Sequence, residues 1–462
     1  MAELSQSLLN EMIYEKYIQP TKRKRNPYVG IEIELPIVHL EKKPVNFSVV
    51  HKLTHEFIKH FSFNIIHYDD NGDIYFAQSS SNQDILSFDC SYNTLELSFG
   101  KEKNLNTLYS RFVSYYSFIQ DFLGPFEHTL TGMGVNPHFN INYNEPIPNS
   151  RYRMLFHHLC SYQKYGDIIP FHNNPNFGLF SCASQVQLDV EENYIVETLN
   201  TFTKLEPLKT LLFANSLWGD NYQLLCGRDQ FWKNSLHGLN RHNVDMYNVE
   251  FSSPEEIVAY IKSMSLYCVE RDEKYINFPP VQLEKYFKME QVSGEYYDGN
   301  AYREISFEPC IEDLAYLRSF KMEDLTYRGT VEFRSVCTQP VREVMAPSAF
   351  HTGLLENLPA LTALLNSDTT VYRNGYNPSE LRELLNHSAF PEFLNKNAVS
   401  NLLIKILDIA KDGLIKRNLN EEHFLAPLYS RAKYLYSPAR QMADGLKSGI
   451  PIEYYIHDYA KL

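Results

Sequence analysis

The chain has 462 residues, of which 44% are hydrophobic and 21% are charged, and its formal net charge is −13. This composition is typical of a soluble globular protein, and no run approaches the roughly 18 consecutive apolar residues of a membrane span. The acidic balance excludes a general nucleic-acid binder, whose affinity would rest on neutralising phosphates with Lys and Arg.

The N-terminal segment, residues 1–27, is predicted to form a helix and a basic loop. The helix covers residues 3–17 and ends before Pro20, and the basic run K-R-K-R follows at 22–25. Polar residues interrupt the apolar ones throughout the helix, so it lacks the core of a signal peptide. The seven cysteines contain no C-x-x-C pair, which is typical of reduced thiols. We therefore expect a cytoplasmic protein.

The remaining sequence changes its periodicity near residue 344. Before that point strand-like runs alternate with helices predicted at 105–122, 191–203 and 254–267, and residues 294–309 are predicted to be a polar loop. After it, helices are predicted at 344–356, 358–365, 378–385, 398–414 and 421–435. The sequence thus predicts an α+β fold with a catalytic domain at 28–343 and a C-terminal helical subdomain at 344–462.

Four of the strand-like runs carry acids or amides on one face and aliphatic side chains on the other. Successive strand residues point to opposite faces, so Glu32 and Glu34 share one face while Ile31 and Ile33 share the other. The same alternation applies to Glu96, to Gln185 with Gln187, and to Glu332 with Arg334. An ordinary sheet with one wet face explains any one such strand. Acids are depleted in strands and repel on one face, so four similar strands indicate bound cations.

The chemistry of these side chains indicates divalent metal ions and a polyphosphate. Carboxylate oxygens select hard cations such as Mg²⁺ or Mn²⁺. Mg²⁺ takes only one or two protein carboxylates and fills its shell with water and phosphate, so several convergent acids indicate two or more ions. The sequence has no G-x-x-x-x-G-K-[ST] motif, which excludes a P-loop as the phosphate site.

Seven motifs in chain order resemble those of the glutamate–cysteine ligases, specifically the plant-type branch of these carboxylate–amine ligases. They are G-I-E-I-E at 30–34, S-F-D at 87–89, T-L-E-L-S at 94–98, T-G-M-G-V-N-P at 131–137, R-Y-R-M at 151–154, C-A-S-Q-V-Q-L-D at 182–189 and V-E-F-R at 331–334. Each motif alone is weak, but their order and rough spacing hold over about residues 30–340.

The resemblance implies a fold and a reaction. The fold is glutamine-synthetase-like, with a curved, mainly antiparallel sheet that forms a funnel-shaped site and helices outside it. The site holds ATP, two or more Mg²⁺ ions and L-glutamate. The γ-carboxylate of glutamate attacks the γ-phosphorus of ATP, and an amine such as L-cysteine then displaces phosphate from the γ-glutamyl phosphate, a step of glutathione biosynthesis.

The resemblance also assigns roles to individual residues. The implied metal ligands are Glu32, Glu34, Asp89, Glu96 and Glu332, with Gln185 as a neutral ligand. Arg334, with its fixed guanidinium fork, acts on the transferring phosphoryl group beside Glu332 and contacts the nucleotide together with Gln187. The glutamate α-carboxylate is assigned to Arg241, with Trp232 as a wall and Arg151 or Arg228 assisting.

Three departures from the plant-type pattern leave the acceptor open. Gln187 stands where the family has Asn, Trp232 and Arg241 are two residues further apart, and the segment 294–309 is foreign. The alternatives are the same ligase chemistry with another amine or carboxylate, a carboxylate kinase without ligation, and a non-catalytic relative that binds nucleotide or glutamate. The presence of all five predicted acids argues against a non-catalytic relative, because such a protein has no chemical need for them.

Overall fold

The structure, a computed structural model, describes residues 6–165, 170–372 and 374–462 and centres on a nine-stranded antiparallel sheet. Its strands are β1 (Val29–His39), β2 (Phe63–Tyr68), β3 (Ile74–Ser79), β4 (Ile85–Phe88), β5 (Thr94–Glu102), β6 (His128–Leu130), β7 (Ser184–Asp189), β14 (Glu323–Leu325) and β15 (Thr330–Phe333). The order is β14-β15-β7-β1-β5-β4-β3-β2, and β6 pairs with the C-terminal end of β1. The long central β1 therefore lies between the other strands that carry acids.

A second, four-stranded antiparallel sheet corrects two predictions. It contains β9 (Ser265–Arg271), β10 (Lys274–Gln282), β11 (Val292–Tyr297) and β12 (Tyr302–Phe307), and a short parallel pair joins β8 (Val244–Asp245) to β13 (Phe320–Lys321). The predicted loop 294–309 is mostly the β11–β12 hairpin. Gly294 permits its close pairing, because a Cβ there would lie 2.8 Å from the Asn277 carbonyl oxygen. The predicted helix 254–267 ends at Lys262 and β9 follows.

Fifteen α-helices in the described residues surround the sheets. They are α1 (Gln6–Ile13), α2 (Phe47–Phe61), α3 (Leu105–Leu123), α4 (Ser150–Cys160), α5 (Glu192–Phe213), α6 (Gly227–Lys233), α7 (Pro254–Lys262), α8 (Leu283–Tyr286), α9 (Ala346–Glu356), α10 (Leu358–Ser367), α11 (Pro378–Asn386), α12 (Lys396–Arg417), α13 (Ala426–Tyr434), α14 (Pro438–Lys447) and α15 (Ile452–Tyr459). The α+β class and the C-terminal run of helices are confirmed. None of these helices combines the length and apolar content needed to cross a membrane.

The N-terminal segment is helical but is divided into three pieces. After α1 a π-helical turn covers Tyr14–Ile18 and a 3₁₀ turn covers Gln19–Thr21. The predicted helix start at residue 3 lies outside the described residues. Pro20 sits in the first turn of the 3₁₀ piece, where its missing N–H costs no hydrogen bond.

Helices α9–α13 share one hydrophobic core with the sheet, whereas α14 and α15 pack in smaller clusters. Helices α9 and α12 cross at Gly353 and Gly413, where a Cβ would lie 2.1 Å from the Ala410 carbonyl oxygen or 1.9 Å from that of Gly353. Only glycine allows this approach. The largest cluster of buried hydrophobic residues in the described ranges includes members from Leu9 to Leu435. The predicted boundary at 344 therefore marks a change from strands to helices within a shared core.

Candidate active site

The polar face of the main sheet forms the floor of a cavity of about 890 Å³. The register places Glu34 opposite Glu96, Glu32 opposite Gln185, and Glu332 opposite Gln187. Partners in register share a face, so these side chains converge while the intervening Ile31 and Ile33 are buried in the core. The sheet thus brings together acids that are up to 300 residues apart in sequence.

Two glutamines hold the acids of the floor in place. The Gln187 Nε2 donates to Glu32 Oε1 at 3.1 Å and to Glu332 Oε1 at 2.6 Å. The Gln185 Nε2 donates to Glu34 Oε1 at 2.9 Å. Gln187 is not among the residues that line the cavity, and its implied contact with a nucleotide stays a prediction.

The floor carries more negative charge than its surroundings balance. Burial, with the charges of Glu332 and Glu96, raises the pKa of Glu32 well above its ordinary value. Burial and the nearby Asp89 raise the pKa of Glu34 to about 8 and also raise the pKa of Glu96. Like charges in a poorly solvated cleft disfavour ionisation. A bound cation would relieve this cost.

Asp89 reaches the cavity from a turn and not from a strand. It follows β4 directly, and the next residue, Cys90, has a left-handed backbone with φ of 58°. The Ser91 N–H donates to the Asp89 carbonyl oxygen at 2.6 Å, which closes this turn before β5 begins. Burial raises the pKa of the Asp89 carboxyl, as it does for Glu32, Glu34 and Glu96.

The carboxylate and amide oxygens of the floor suit a Mg²⁺ ion that is bound by the protein and a polyphosphate together. Within the described part of the chain, no three His, Cys, Asp or Glu side chains lie close enough to form a metal site by themselves. The implied five-carboxylate cage is therefore not preformed. Mg²⁺ needs only one or two carboxylates when phosphate and water supply its other ligands. The buried Oε1 of Gln185 has no hydrogen-bond partner and is a further oxygen atom that can bind a metal ion.

Arg334 follows β15 and lies in the cavity beside Glu332. Its Nη1 donates to Glu332 Oε2 at 2.6 Å, and its backbone N–H donates to the Met322 carbonyl oxygen at 2.8 Å. Burial acts to lower the pKa of Arg334, but Glu332 and Asp324 outweigh it and hold the pKa above its ordinary value. The guanidinium therefore stays charged, and its remaining donors are available to a phosphoryl group.

Asp324 is a cavity residue that the sequence analysis missed. It lies opposite Glu332 in the β14–β15 register, and burial raises its pKa to about 6 although the Ser319 hydroxyl donates to it at 2.7 Å. Short β14 has charged residues on both faces, so alternation alone could not single out Asp324.

Three other predicted substrate-binding residues line the same cavity. Arg228 on α6 is buried, and its Nη1 donates weakly to two carbonyl oxygens at 3.4 Å while its Nε has no partner. Arg151, in the first turn of α4, is exposed to the cavity above the Tyr152 ring. Trp232 stacks on Phe320 with ring centroids 4.6 Å apart, and so forms part of a rigid wall.

Arg241 is not brought to the cavity. It is exposed, it lies in the 3₁₀ turn Arg241–Asn243, and its Nη1 donates to the Lys233 carbonyl oxygen at 2.6 Å. This main-chain contact holds the guanidinium outside the cavity lining. The structure therefore does not support Arg241 as first choice for the glutamate α-carboxylate, whereas Arg151 and Arg228 do line the cavity.

Comparison with known proteins gives relatives of one kind. The chain is 22% identical over 318 residues to the chloroplastic glutamate–cysteine ligase of Solanum lycopersicum, a match that covers 68% of this chain and 56% of the relative. It is 24% identical over 323 residues to that of Arabidopsis thaliana, with the same coverage. The chain thus spans little more than half the length of these curated relatives.

A solved structure is also similar, and a family model extends the comparison beyond the motif region. Glutamate–cysteine ligase of Francisella tularensis in complex with AMP matches with a TM-score of 0.48 and 11% identity, covering 95% of this chain and 88% of that one. The model of glutamate–cysteine ligase family 2 matches residues 28–442. This match continues about 100 residues past the last recognised motif and includes most of the C-terminal helices. The chain belongs to glutamate–cysteine ligase family 2.

Proposed function

We propose that this chain is an ATP- and Mg²⁺-dependent ligase that joins the γ-carboxyl group of L-glutamate to the amino group of L-cysteine or a similarly small amino acid. The observation that carries the proposal is the cavity floor, on which five carboxylates and Arg334 converge without a P-loop. The curated relatives at 22–24% identity are named as glutamate–cysteine ligases, which supports the same substrates.

The acids and Arg334 would act on the transferring phosphoryl group. Glu32, Glu34, Asp89, Glu96 and Glu332, with Gln185, would hold Mg²⁺, which neutralises phosphate charge when bound. Glu332 holds Arg334 at 2.6 Å and so aims its guanidinium along the floor. Phosphoryl transfer needs this positioning and charge stabilisation more than covalent help. The γ-glutamyl phosphate then reacts with the amine, which forms the amide bond and releases phosphate and a proton.

Arg151 and Arg228 would bind the α-carboxylate of glutamate. Both line the cavity, and neither forms an ion pair with another described residue. Their charges oppose the rise that burial causes in the pKa of Asp89, which supports a position near the acids of the floor. Trp232 would close this side and exclude water from the acyl phosphate.

We expect ADP and phosphate to form only when ATP, Mg²⁺, glutamate and an amine are all present. The reason is that the acids need a cation before they can share the floor with a polyphosphate. A coupled assay of ADP release with a panel of amines, joined to mass spectrometry of the product, measures this directly. EDTA should abolish turnover, and full activity in excess chelator would refute the metal-dependent site.

The same assay separates the rival hypotheses. ADP release with glutamate but without any amine would identify a carboxylate kinase. Nucleotide binding without ADP release under any condition would identify a non-catalytic relative. If another amine gives a γ-glutamyl product and millimolar cysteine gives none, the proposed acceptor is wrong and the proposed ligase reaction still holds.

Arg151→Ala should raise the KM for glutamate about 10–100-fold, the effect of losing a charged hydrogen bond. Arg241→Ala should leave it unchanged, since Arg241 lies outside the cavity lining. Initial rates at saturating ATP and amine give both values. The opposite ranking of the two variants would restore the assignment that the sequence favoured.

A further inference from the structure

Helix α11, one of the C-terminal helices, contacts both ends of the short helix α6. Before the first residue of α6, the Cys226 N–H donates to Asn386 Oδ1 at 2.5 Å, and Asn386 Nδ2 donates to the Cys226 carbonyl oxygen at 2.9 Å. At the last residue of α6, the Lys233 Nζ donates to Glu383 Oε2 at 2.9 Å and to Ser379 Oγ at 3.2 Å. A helix of seven residues is not stable by itself in water, so its tertiary contacts fix its position.

Arg382 makes the central contact between α11 and α6. Its guanidinium forms a bidentate pair with Asp229 in the first turn of α6, since Nε donates to Oδ2 at 2.8 Å and Nη2 donates to Oδ1 at 3.0 Å. Its Nη1 donates to the carbonyl oxygen of Glu206 on α5 at 2.7 Å and to Glu206 Oε2 at 3.0 Å. Bidentate pairs with carboxylates impose a fixed geometry. Arg382 therefore joins α6 to the long helix α5 in one orientation.

The charges around Arg382 balance each other inside the protein. The Lys209 Nζ donates to Glu206 Oε1 at 2.6 Å, so two cations, Arg382 and Lys209, face two carboxylates, Glu206 and Asp229. Asp229 borders the cavity, but both of its carboxylate oxygens accept hydrogen bonds from Arg382. Without Arg382 this carboxylate would be an unpaired anion beside a site for anionic substrates.

Helix α6 carries two of the residues proposed to surround glutamate. Arg228 and Trp232 are four residues apart, so they share one face of α6, and both line the cavity. The Arg228 Nε has no partner and its Nη1 contacts are long, at 3.4 Å, so its own hydrogen bonds fix it only weakly. Its position depends on where α6 lies, and a displacement of about 1 Å in a binding group can cost up to about 100-fold in rate.

We propose that Arg382 is a positioning residue for glutamate: through Asp229 it sets the position of α6, and thereby of Arg228 and Trp232. Arg382 is buried and is not among the residues that line the cavity, so it acts through α6 and not by contact with a substrate. The inference rests on the proposed ligase function. It gives the C-terminal helices a part in the affinity for glutamate.

The test removes the bidentate contact from each side. Arg382→Lys keeps the charge but loses the fork, and Asp229→Asn keeps the shape but loses the charge. Each should raise the KM for glutamate about 10-fold and leave kcat and the KM for ATP within about threefold, because α6 carries none of the groups proposed for phosphoryl transfer. Both variants break one contact, so the double variant should raise this KM no further than the larger single effect. Initial rates and circular dichroism measure activity and folding.

The matched control is Arg431→Lys, which alters an equally buried arginine on the C-terminal helix α13. Arg431 pairs with Glu343 and donates to the Leu212 carbonyl oxygen at 2.7 Å, and no residue of α6 is among its hydrogen-bond partners. It should lower the melting temperature about as much as Arg382→Lys and leave the KM for glutamate unchanged. An equal rise in this KM for Arg431→Lys would mean that Arg382 is merely structural, and would overturn the proposal.

Two further outcomes would overturn the proposal: a wild-type KM for glutamate in folded Arg382→Lys, or a double variant whose effect is the product of the single effects. If Arg382→Lys does not fold, the KM of Asp229→Asn decides alone, since that side chain lies at the cavity border. Isothermal titration with L-glutamate in the absence of amine separates this proposal from the ligase function. Weaker glutamate binding by the variants would support the role of Arg382 even if the wild type released no ADP, and that absence of turnover would refute the ligase.

Discussion

Arg334→Ala should lower kcat about 10²–10³-fold, with a much smaller change in the KM for glutamate. Arg334 is the cation that Glu332 holds on the floor, and we propose that its remaining donors bind the transferring phosphoryl group. Its contribution grows as charge develops in the transition state, so its loss appears in kcat. Glu332→Gln should lower kcat as well, because the amide removes the charge that orients Arg334.

The fold should survive both changes, since Val331 and Phe333 on the opposite face of β15 supply its core contacts. Arg342→Ala is the matched control: this arginine forms a partly exposed ion pair with Asp458 at 3.1 Å and should affect neither kcat nor stability noticeably. Circular dichroism and thermal melting establish folding, and steady-state rates establish kcat. A folded Arg334→Ala protein with wild-type kcat would place β15 outside the catalytic site.

Glu34→Gln should lose activity about 10–100-fold and yet stabilise the metal-free protein at high pH. Burial and Asp89 raise the pKa of Glu34 from 4.5 to about 8 in the folded state. The folded chain therefore keeps a proton that the unfolded chain releases. This favours folding below the unfolded pKa, and the advantage is lost as pH rises through about 8. Glutamine carries no charge, so the variant avoids this loss.

Thermal melts in EDTA between pH 5 and 9 measure the effect. The wild type should lose stability across this range more steeply than Glu34→Gln, and at the upper end the variant should melt about 3 °C higher. Mg²⁺ with ATP should restore the wild type more than the variant, because we propose the Glu34 carboxylate as a metal ligand and an amide is a weaker one. Parallel melting curves for the two proteins would show that Glu34 is not strained by burial.

The alternation of residues within each strand was sufficient to predict which acids of β1, β5 and β15 lie on a polar face. Glu32 and Glu34 must share a face in any strand, and a buried opposite face of Ile31 and Ile33 decides which way they point. The pairing of distant strands could be inferred only from the resemblance, since Glu34 and Glu96 meet through the register of β1 and β5. Five helices between residues 344 and 435 were predicted well because their apolar residues recur with helical spacing, whereas α14 and α15 were not predicted.

Local pattern failed where contacts distant in sequence decide the outcome. Lys321 and Glu323 look like surface residues, yet both are fully buried, and the Lys321 Nζ donates to the Val244 and Met246 carbonyl oxygens at 2.8 Å. The polar residues of segment 294–309 resemble those of a loop. The segment nevertheless forms a hairpin, because main-chain hydrogen bonds between β11 and β10 stabilise it without apolar side chains.

The sequence by itself determined which residue types face the cavity floor, because strand periodicity needs no knowledge of the rest of the chain. Only the tertiary structure decided which arginines reach that cavity. An arginine side chain is long, and its direction depends on the nearest unpaired acceptor. A main-chain carbonyl keeps Arg241 outside, whereas Arg318 lies on the cavity wall because Asp313 and Lys16 anchor the segment before it.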